Sequence, residues 1–212
     1  SVTTSGEATW DDESEAFVGD AIFTNTYASS QTISGADSFA VEKILNGRDE
    51  WTTNDIFTFT LTGSEGAPMP DGSDGNVKTI AVAADDMAGG IHANNFGDIT
   101  YTQVDHGKTY TYVIDETAGN LYGMTYSKAS YTVTVKVTDD GTGTLVVERT
   151  LTQTADDNGG TDDVSASPQA AVFTNTYDEP KDTKTVTSDV AGAQTDVNGQ
   201  LVGVGDTLTY TI

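Results

Sequence analysis

Apolar and polar residues alternate with a period of two through most of this chain. The run "KTYTYVIDET" sets Tyr110, Tyr112 and Ile114 on one face and Thr109, Thr111 and Val113 on the other, which is the signature of a half-buried β-strand. Similar strand-like runs are "SFAVEKIL", "DIFTFTLTG", "KTIAVAA", "DITYTQV", "SYTVTVKVTDD", "GTLVVERTLTQT" and "AAVFTNTY". Turn-forming clusters separate them: "GSEGAPMPDGSDGN", "DETAGN", "DDGTG" and "DDNGGTDD". "DDGTG" between two Val-rich runs predicts a hairpin. Only "DDMAGGIHANNFG" suggests a short helical turn, against the tendency of its glycines. Short strands at regular spacing predict an all-β chain folded as a β-sandwich with Greek-key connections.

One stretch occurs twice. "AIFTNTY" ends at Tyr27 and "AVFTNTY" ends at Tyr177. Each follows a Thr-rich run, an acidic loop and a few small residues, so the repeat divides the chain. Residues 1–28 read as the closing strand of a preceding copy, and residues 29–178 as one complete copy. Residues 179–212 do not repeat the start of that copy and read as a linker with the first strands of a different module.

Period-two alternation places three polar residues among apolar ones in the complete copy. Lys43 shares a face with Phe39, Val41 and Leu45; Glu116 continues the face of Tyr110, Tyr112 and Ile114; Asn175 lies between Phe173 and Tyr177. Asp115 falls on the opposite, solvated face. Burial lowers the pKa of a lysine and raises that of a glutamate. A free amine and a protonated carboxyl are a nucleophile and an acid, the carboxyl being placed to donate to a carbonyl oxygen and to shuttle protons. Attack of the Lys43 amine on the Asn175 side-chain carbonyl, with loss of ammonia, would join the first and last strands of the copy through an isopeptide bond. The competing reading is a buried ion pair beside a hydrogen-bonded asparagine.

The other lysines fit less well. Lys78 shares a face with Ile80 and Val82 but sits at a strand start, where its amine reaches water. Lys136 alternates with threonines and faces solvent. Asn25 has no lysine or glutamate partner and is expected to be unlinked. The acidic loop "DDNGGTDD" lacks the spacing of a calcium-binding helix–loop–helix motif and reads as solvated, so neutralising Asp156 and Asp157 is expected to change little.

Composition narrows the function classes. Nine Lys and Arg against 33 Asp and Glu give a formal charge of −24, with acids spread along the chain. Such a surface repels phosphate backbones and anionic membranes, so neither nucleic acid nor membrane is an expected partner. Cysteine is absent, and His92 and His106 have no neighbours at metal-ligand spacing, so neither disulfide, metal nor cofactor is expected. Neither a signal peptide nor a long apolar stretch occurs, and the chain reads as an internal piece or mature fragment. No nucleophile–base–orienter set for an external substrate emerges, so an enzyme is not expected.

The lysine in "VEKIL", the strand "YTYVIDE" and the closing "FTNTY" resemble the streptococcal pilin isopeptide linkage domain, a relative of the major-pilin domains of Gram-positive bacteria. The resemblance covers about residues 30–178. It implies an Ig-like, CnaB-like Greek-key sandwich with an intramolecular Lys–Asn isopeptide bond assisted by a glutamate. Carried over by position, the cross-link falls on Lys43 and Asn175 and the catalytic role on Glu116. The final stretch, "KTVTSDVAGAQTDVNGQLVGVGDTLTYTI", resembles the opening of a wall-adhesin isopeptide module, which points to Lys184 as its cross-link lysine, with Lys181 the runner-up. "EPK" at 179–181 lacks the form of a pilin sortase-acceptor motif and reads as a linker.

The resemblance implies a structural module of an extracellular, cell-wall-anchored protein. It is expected to be monomeric, with neighbouring repeats of the same chain as its partners. The alternative is an adhesin domain that binds a host glycan or protein directly. Its candidate features are Trp10, Trp51 and the loop at residues 63–77.

Overall fold

A computed structural model describes residues 2–5, 9–19, 22–25, 27–162, 164–165, 167–179, 185–190, 193–196 and 207–211. The N-terminal segment carries β1 (Val2–Ser5), β2 (Thr9–Asp11), β3 (Ala16–Val18) and β4 (Ile22–Asn25). Here β1 pairs with β4 and β2 with β3, both antiparallel. There follow β5 (Ser30–Ile33), β6 (Ala40–Asn46), β7 (Ile56–Gly63), β8 (Val77–Ala83), β9 (Met87–Ala88) and β10 (Ile91–Asn95). Next come β11 (Ile99–Thr102), β12 (Thr109–Thr117), β13 (Met124–Thr125), β14 (Ser130–Asp139), β15 (Leu145–Ala155) and β16 (Ala171–Tyr177). The C-terminal strands β17 (Thr185–Val190), β18 (Ala193–Asp196) and β19 (Leu208–Thr211) form a three-stranded antiparallel sheet with β17 central. Lys181 and Lys184 lie outside the described residues, and of Asn25 only the backbone is described.

Strands β6 to β16, with the exception of β11, build two five-stranded sheets. One has the order β13–β16–β6–β10–β9 and the other β15–β14–β12–β7–β8, while β5 and β11 pair separately. The sheets are held face to face by the apolar half of each alternating strand. On β12, Tyr110, Tyr112 and Ile114 are buried; on β14, Tyr131, Val133, Val135 and Val137; on β7, Phe57, Phe59 and Leu61. The first sheet answers with Val41, Ala171 and Phe173. Phe173 packs on Phe59 and Tyr131 across the gap, at ring-centroid distances of 5.0 and 5.2 Å. Full burial of a side chain this size contributes about 1.5–3 kcal/mol, so this face fixes the register of the closing strand.

Among the described residues, all strand pairs but one are antiparallel. The exception is β16 with β6, which run parallel with Phe173 opposite Lys43 and Asn175 opposite Leu45. In a parallel pair, opposed residues face the same way, so Lys43 and Asn175 point inward from neighbouring strands, offset by two residues. Such a diagonal is within reach of a long side chain. Just past β6, Gly47 has φ +83° and its Cα lies so close to the Tyr177 carbonyl that a Cβ would stand 2.0 Å from the oxygen. A side chain there would push the end of β16 away.

Two details differ from the sequence reading. Lys43 lies on the second strand of the unit, because "SQTI" forms β5 ahead of it. "DDMAGGIHANNFG" contains no helical turn. Gly89 and Gly90 both adopt positive φ and close a two-residue hairpin between β9 and β10, the conformation that favours such turns. The one short α-helix among the described residues is Gly35–Ser38. Gly35 allows it to pack beside Gly97, since a Cβ would lie 2.4 Å from that residue's carbonyl. Among the described residues no helix is long and apolar enough to cross a membrane.

Candidate functional site

Lys43, Glu116 and Asn175 meet at the centre of the sandwich. Lys43 and Asn175 come from β6 and β16 of one sheet, and Glu116 from β12 of the other, where it pairs with Phe59 of β7. The Lys43 amine donates to Glu116 Oε2 at 2.8 Å, and Asn175 Nδ2 donates to Glu116 Oε1 at 2.8 Å. One carboxylate thus holds the amine with one oxygen and the carboxamide with the other. The side chains of Lys43 and Glu116 are wholly shielded from solvent, and Asn175 is fully buried. Asp115, the residue before Glu116, alternates onto the other face of β12 and is half-buried.

The surroundings of the amine are apolar. Lys43 Nζ stands 4.8 Å from the ring centre of Phe57 and 5.8 Å from that of Phe59. Loss of hydration pushes the Lys43 amine down to about 8, although the Glu116 carboxylate opposes the change. The same desolvation raises Glu116, against the pull of Lys43 and the hydrogen bond from Asn175. Both shifts favour the neutral pair, in which the proton has moved from amine to carboxyl.

The carbonyl side of Asn175 is held differently from the expectation. The backbone N–H of Ser127 donates to Asn175 Oδ1 at 2.7 Å. A backbone N–H can only donate, so this contact identifies the oxygen of the carboxamide and leaves the nitrogen facing Glu116. The carboxyl is therefore aimed at the departing nitrogen, not at the carbonyl oxygen. The donor to that oxygen is a main-chain group, which no reading of side-chain types would find.

Asp157 was expected to be solvated, but it is built into the site. Its carboxylate accepts hydrogen bonds from the Ser127 hydroxyl and from the Thr174 N–H, the latter at 2.9 Å. Its carbonyl accepts the Lys128 N–H at 2.9 Å. Asp156 makes this possible by capping the turn, its Oδ1 accepting the Asn158 and Gly160 N–H groups at 2.8 and 2.7 Å. The sequence signal is the Asx-turn pair Asp-Asp before Asn-Gly-Gly, which is compatible with a solvated loop as well.

The remaining candidates lie elsewhere. The Lys78 amine donates to the Asp71 carbonyl at 2.6 Å, and Lys136 is exposed. His92 is stacked on Trp51 at 3.7 Å, and His106 Nδ1 accepts the Asp139 N–H at 2.8 Å. Among the described residues no group of acidic or histidine side chains is arranged to hold a metal. Of the aromatic residues considered for ligand binding, Trp10 is exposed. Trp51 instead packs edge-on against Phe57 at 5.2 Å. The loop after β7 folds onto the core, where the Pro68 carbonyl accepts the Tyr112 hydroxyl at 2.8 Å.

No curated protein matches the chain. Among solved structures, the major pilin T-13 of Streptococcus pyogenes is 12% identical, with 85% of this chain and 75% of the pilin covered and a TM-score of 0.38. Another major pilin of Streptococcus pyogenes is 14% identical, with 89% and 72% covered and a TM-score of 0.37. A family model matches residues 39–178, from the residue before β6 to the residue after β16, and so includes all three buried polar side chains. The chain belongs to the FctA family, the Spy0128-like isopeptide-containing domains.

Proposed function

We propose that residues 29–178 form one bead of an extracellular stalk or pilus-like fibre, closed by an autocatalytic isopeptide bond between Lys43 and Asn175. The parent is a wall-anchored surface protein of a Gram-positive cell. Residues 1–28 close a preceding repeat, and residues 179–212 hold a linker and the opening of a different module, with Lys184 as its cross-link lysine. The bead is a monomer whose partners are its neighbours along the chain.

The observation that carries this reading is the Glu116 bridge, with one oxygen on the nucleophile and the other on the leaving group at 2.8 Å each. The Lys43 ammonium gives a proton to Glu116, and the free amine attacks Cγ of Asn175. Glu116 passes its proton to Nδ2, the Cγ–Nδ2 bond breaks and ammonia leaves. The new amide nitrogen returns a proton to Glu116, which ends as a neutral carboxylic acid in an apolar site. Fixed contact in the core supplies the effective concentration that an unactivated amide requires. The protein turns over once.

The bond serves tension. A pull on the two ends enters at β6, crosses the side-chain bridge and leaves through β16, so the intervening strands carry no load. The test is the intact mass of the folded chain. It is expected to lie one ammonia below the sequence mass, with the tryptic peptides of Lys43 and Asn175 joined. An unchanged mass after long incubation at neutral pH overturns the covalent reading.

A further inference from the structure

Resting on the Lys43–Asn175 bond proposed above, we infer that the Ser127 backbone N–H is the oxyanion donor of the reaction and that Asp157 is the residue that positions it. The Asn175 carbonyl oxygen is where negative charge gathers when Lys43 adds to Cγ. Ser127 N–H already lies 2.7 Å from it in a buried setting. A donor fixed before the reaction needs no reorganisation as the charge develops, and in a water-excluded site it is worth far more than in solvent.

Ser127 belongs to the connection between β13 and β14, outside either strand. Its hold comes from Asp157. The carboxylate takes the Ser127 hydroxyl and the N–H of Thr174, the neighbour of Asn175 on β16. The Asp157 main-chain carbonyl takes the next N–H, that of Lys128. One residue therefore ties the donor segment to the strand that carries the acceptor. The Ser127 hydroxyl also accepts the Ala129 N–H at 3.0 Å, which sets its direction toward Asp157. As Lys43 attacks, its electron pair forms the Nζ–Cγ bond and the carbonyl π pair moves to oxygen, where Ser127 N–H stabilises it. The pair then returns to re-form the carbonyl as ammonia departs with the proton from Glu116.

The Asp157 charge acts on both partners, favouring the ammonium form of Lys43 and the protonated form of Glu116. Charge and hydrogen bonding are therefore separated by comparing a variant that loses both with one that loses the charge alone. The test follows intact mass over time after a short pulse of cell-free synthesis, with protease resistance of the same samples reporting folding. Asp157→Ala should fold and lose ammonia at least about tenfold more slowly than the natural sequence. Asp157→Asn keeps an oxygen acceptor without the charge and should restore most of the rate. Ser127→Ala, which breaks the same tie, should be slow, and the pair Ser127→Ala with Asp157→Ala no slower than either alone.

If Asp157→Ala reacts as fast as the natural sequence, or faster, the positioning role is overturned while the bond itself stands. A variant that is less stable yet reacts at an unchanged rate in its protease-resistant fraction overturns it equally. Equal slowing by Ala and Asn assigns the effect to charge and overturns the hydrogen-bonding role. Absence of ammonia loss from the natural sequence overturns the bond and this inference with it.

Discussion

Removing the bond should weaken the domain by an amount set by the loop it closes. Lys43 and Asn175 enclose a loop of about 130 residues, for which the chain-entropy model gives about 5 kcal/mol. In a domain of about 150 residues, each kcal/mol moves the thermal midpoint by about 2–4 °C, so a fall of about 10–20 °C is expected. Single variants mix bond loss with local damage. Lys43→Met keeps the volume but leaves Glu116 without its cation, whereas Asn175→Ala keeps the ion pair but strands the buried Ser127 N–H, at a cost of about 1–3 kcal/mol. The double variant separates these effects. Either substitution alone abolishes the bond, so the second can add only its local cost. The two losses should therefore fall short of additivity by about 5 kcal/mol in equilibrium denaturation. Additive losses with no shortfall would refute the argument and show that packing, not a covalent tie, holds β6 to β16.

Three further outcomes follow from the same geometry. Glu116→Ala should fold yet keep the full sequence mass, whereas Asp115→Ala on the other face should lose ammonia as the natural sequence does; equal cross-linking of the two removes Glu116 from the mechanism. The rate of ammonia loss should be bell-shaped in pH. Above about 8 the Lys43–Glu116 pair sheds the single proton it shares and no acid remains for the leaving group. Toward acid, Glu116 holds a proton while Lys43 stays charged, and this limb should lie above the ordinary glutamate value of 4.5 because burial raises Glu116. A rate that climbs steadily into alkali, measured by timed intact mass, would exclude the shared proton. Gly47→Ala should displace the end of β16 and lower stability by more than about 1 kcal/mol, since the site combines positive φ with contact on the Tyr177 carbonyl; an unchanged denaturation midpoint counts against that contact.

Much of the sandwich was legible because its strands each bury one face. The alternation in β6, β12 and β16 separates inward from outward residues, and it singles out Lys43, Glu116 and Asn175 because each interrupts an apolar series. Pairing was less accessible. Nothing in "SQTI" marks β5 as a strand, and the adjacent glycines Gly89 and Gly90 are compatible with both a loop and a hairpin. Least visible were groups whose role lies in the backbone. Ser127 acts through its N–H, which every residue but proline possesses, and Asp157 differs from its exposed neighbours only in where the loop places it. Side-chain periodicity carries no information about either.

The parallel pairing of β6 with β16 also sets an order of events. It joins strands from near the two ends of the domain, so it is among the last contacts the chain can make. Until β16 docks, Lys43 and Glu116 lack the partner that completes their enclosure, and the amine has no carbonyl to attack. During synthesis from the N-terminus, the lysine must wait for nearly the whole domain to emerge. Formation of the proposed bond would therefore be conditional on correct closure: a domain whose last strand is missing or out of register would stay unlinked and open to proteolysis. The proposed chemistry would then inspect the fold as well as lock it.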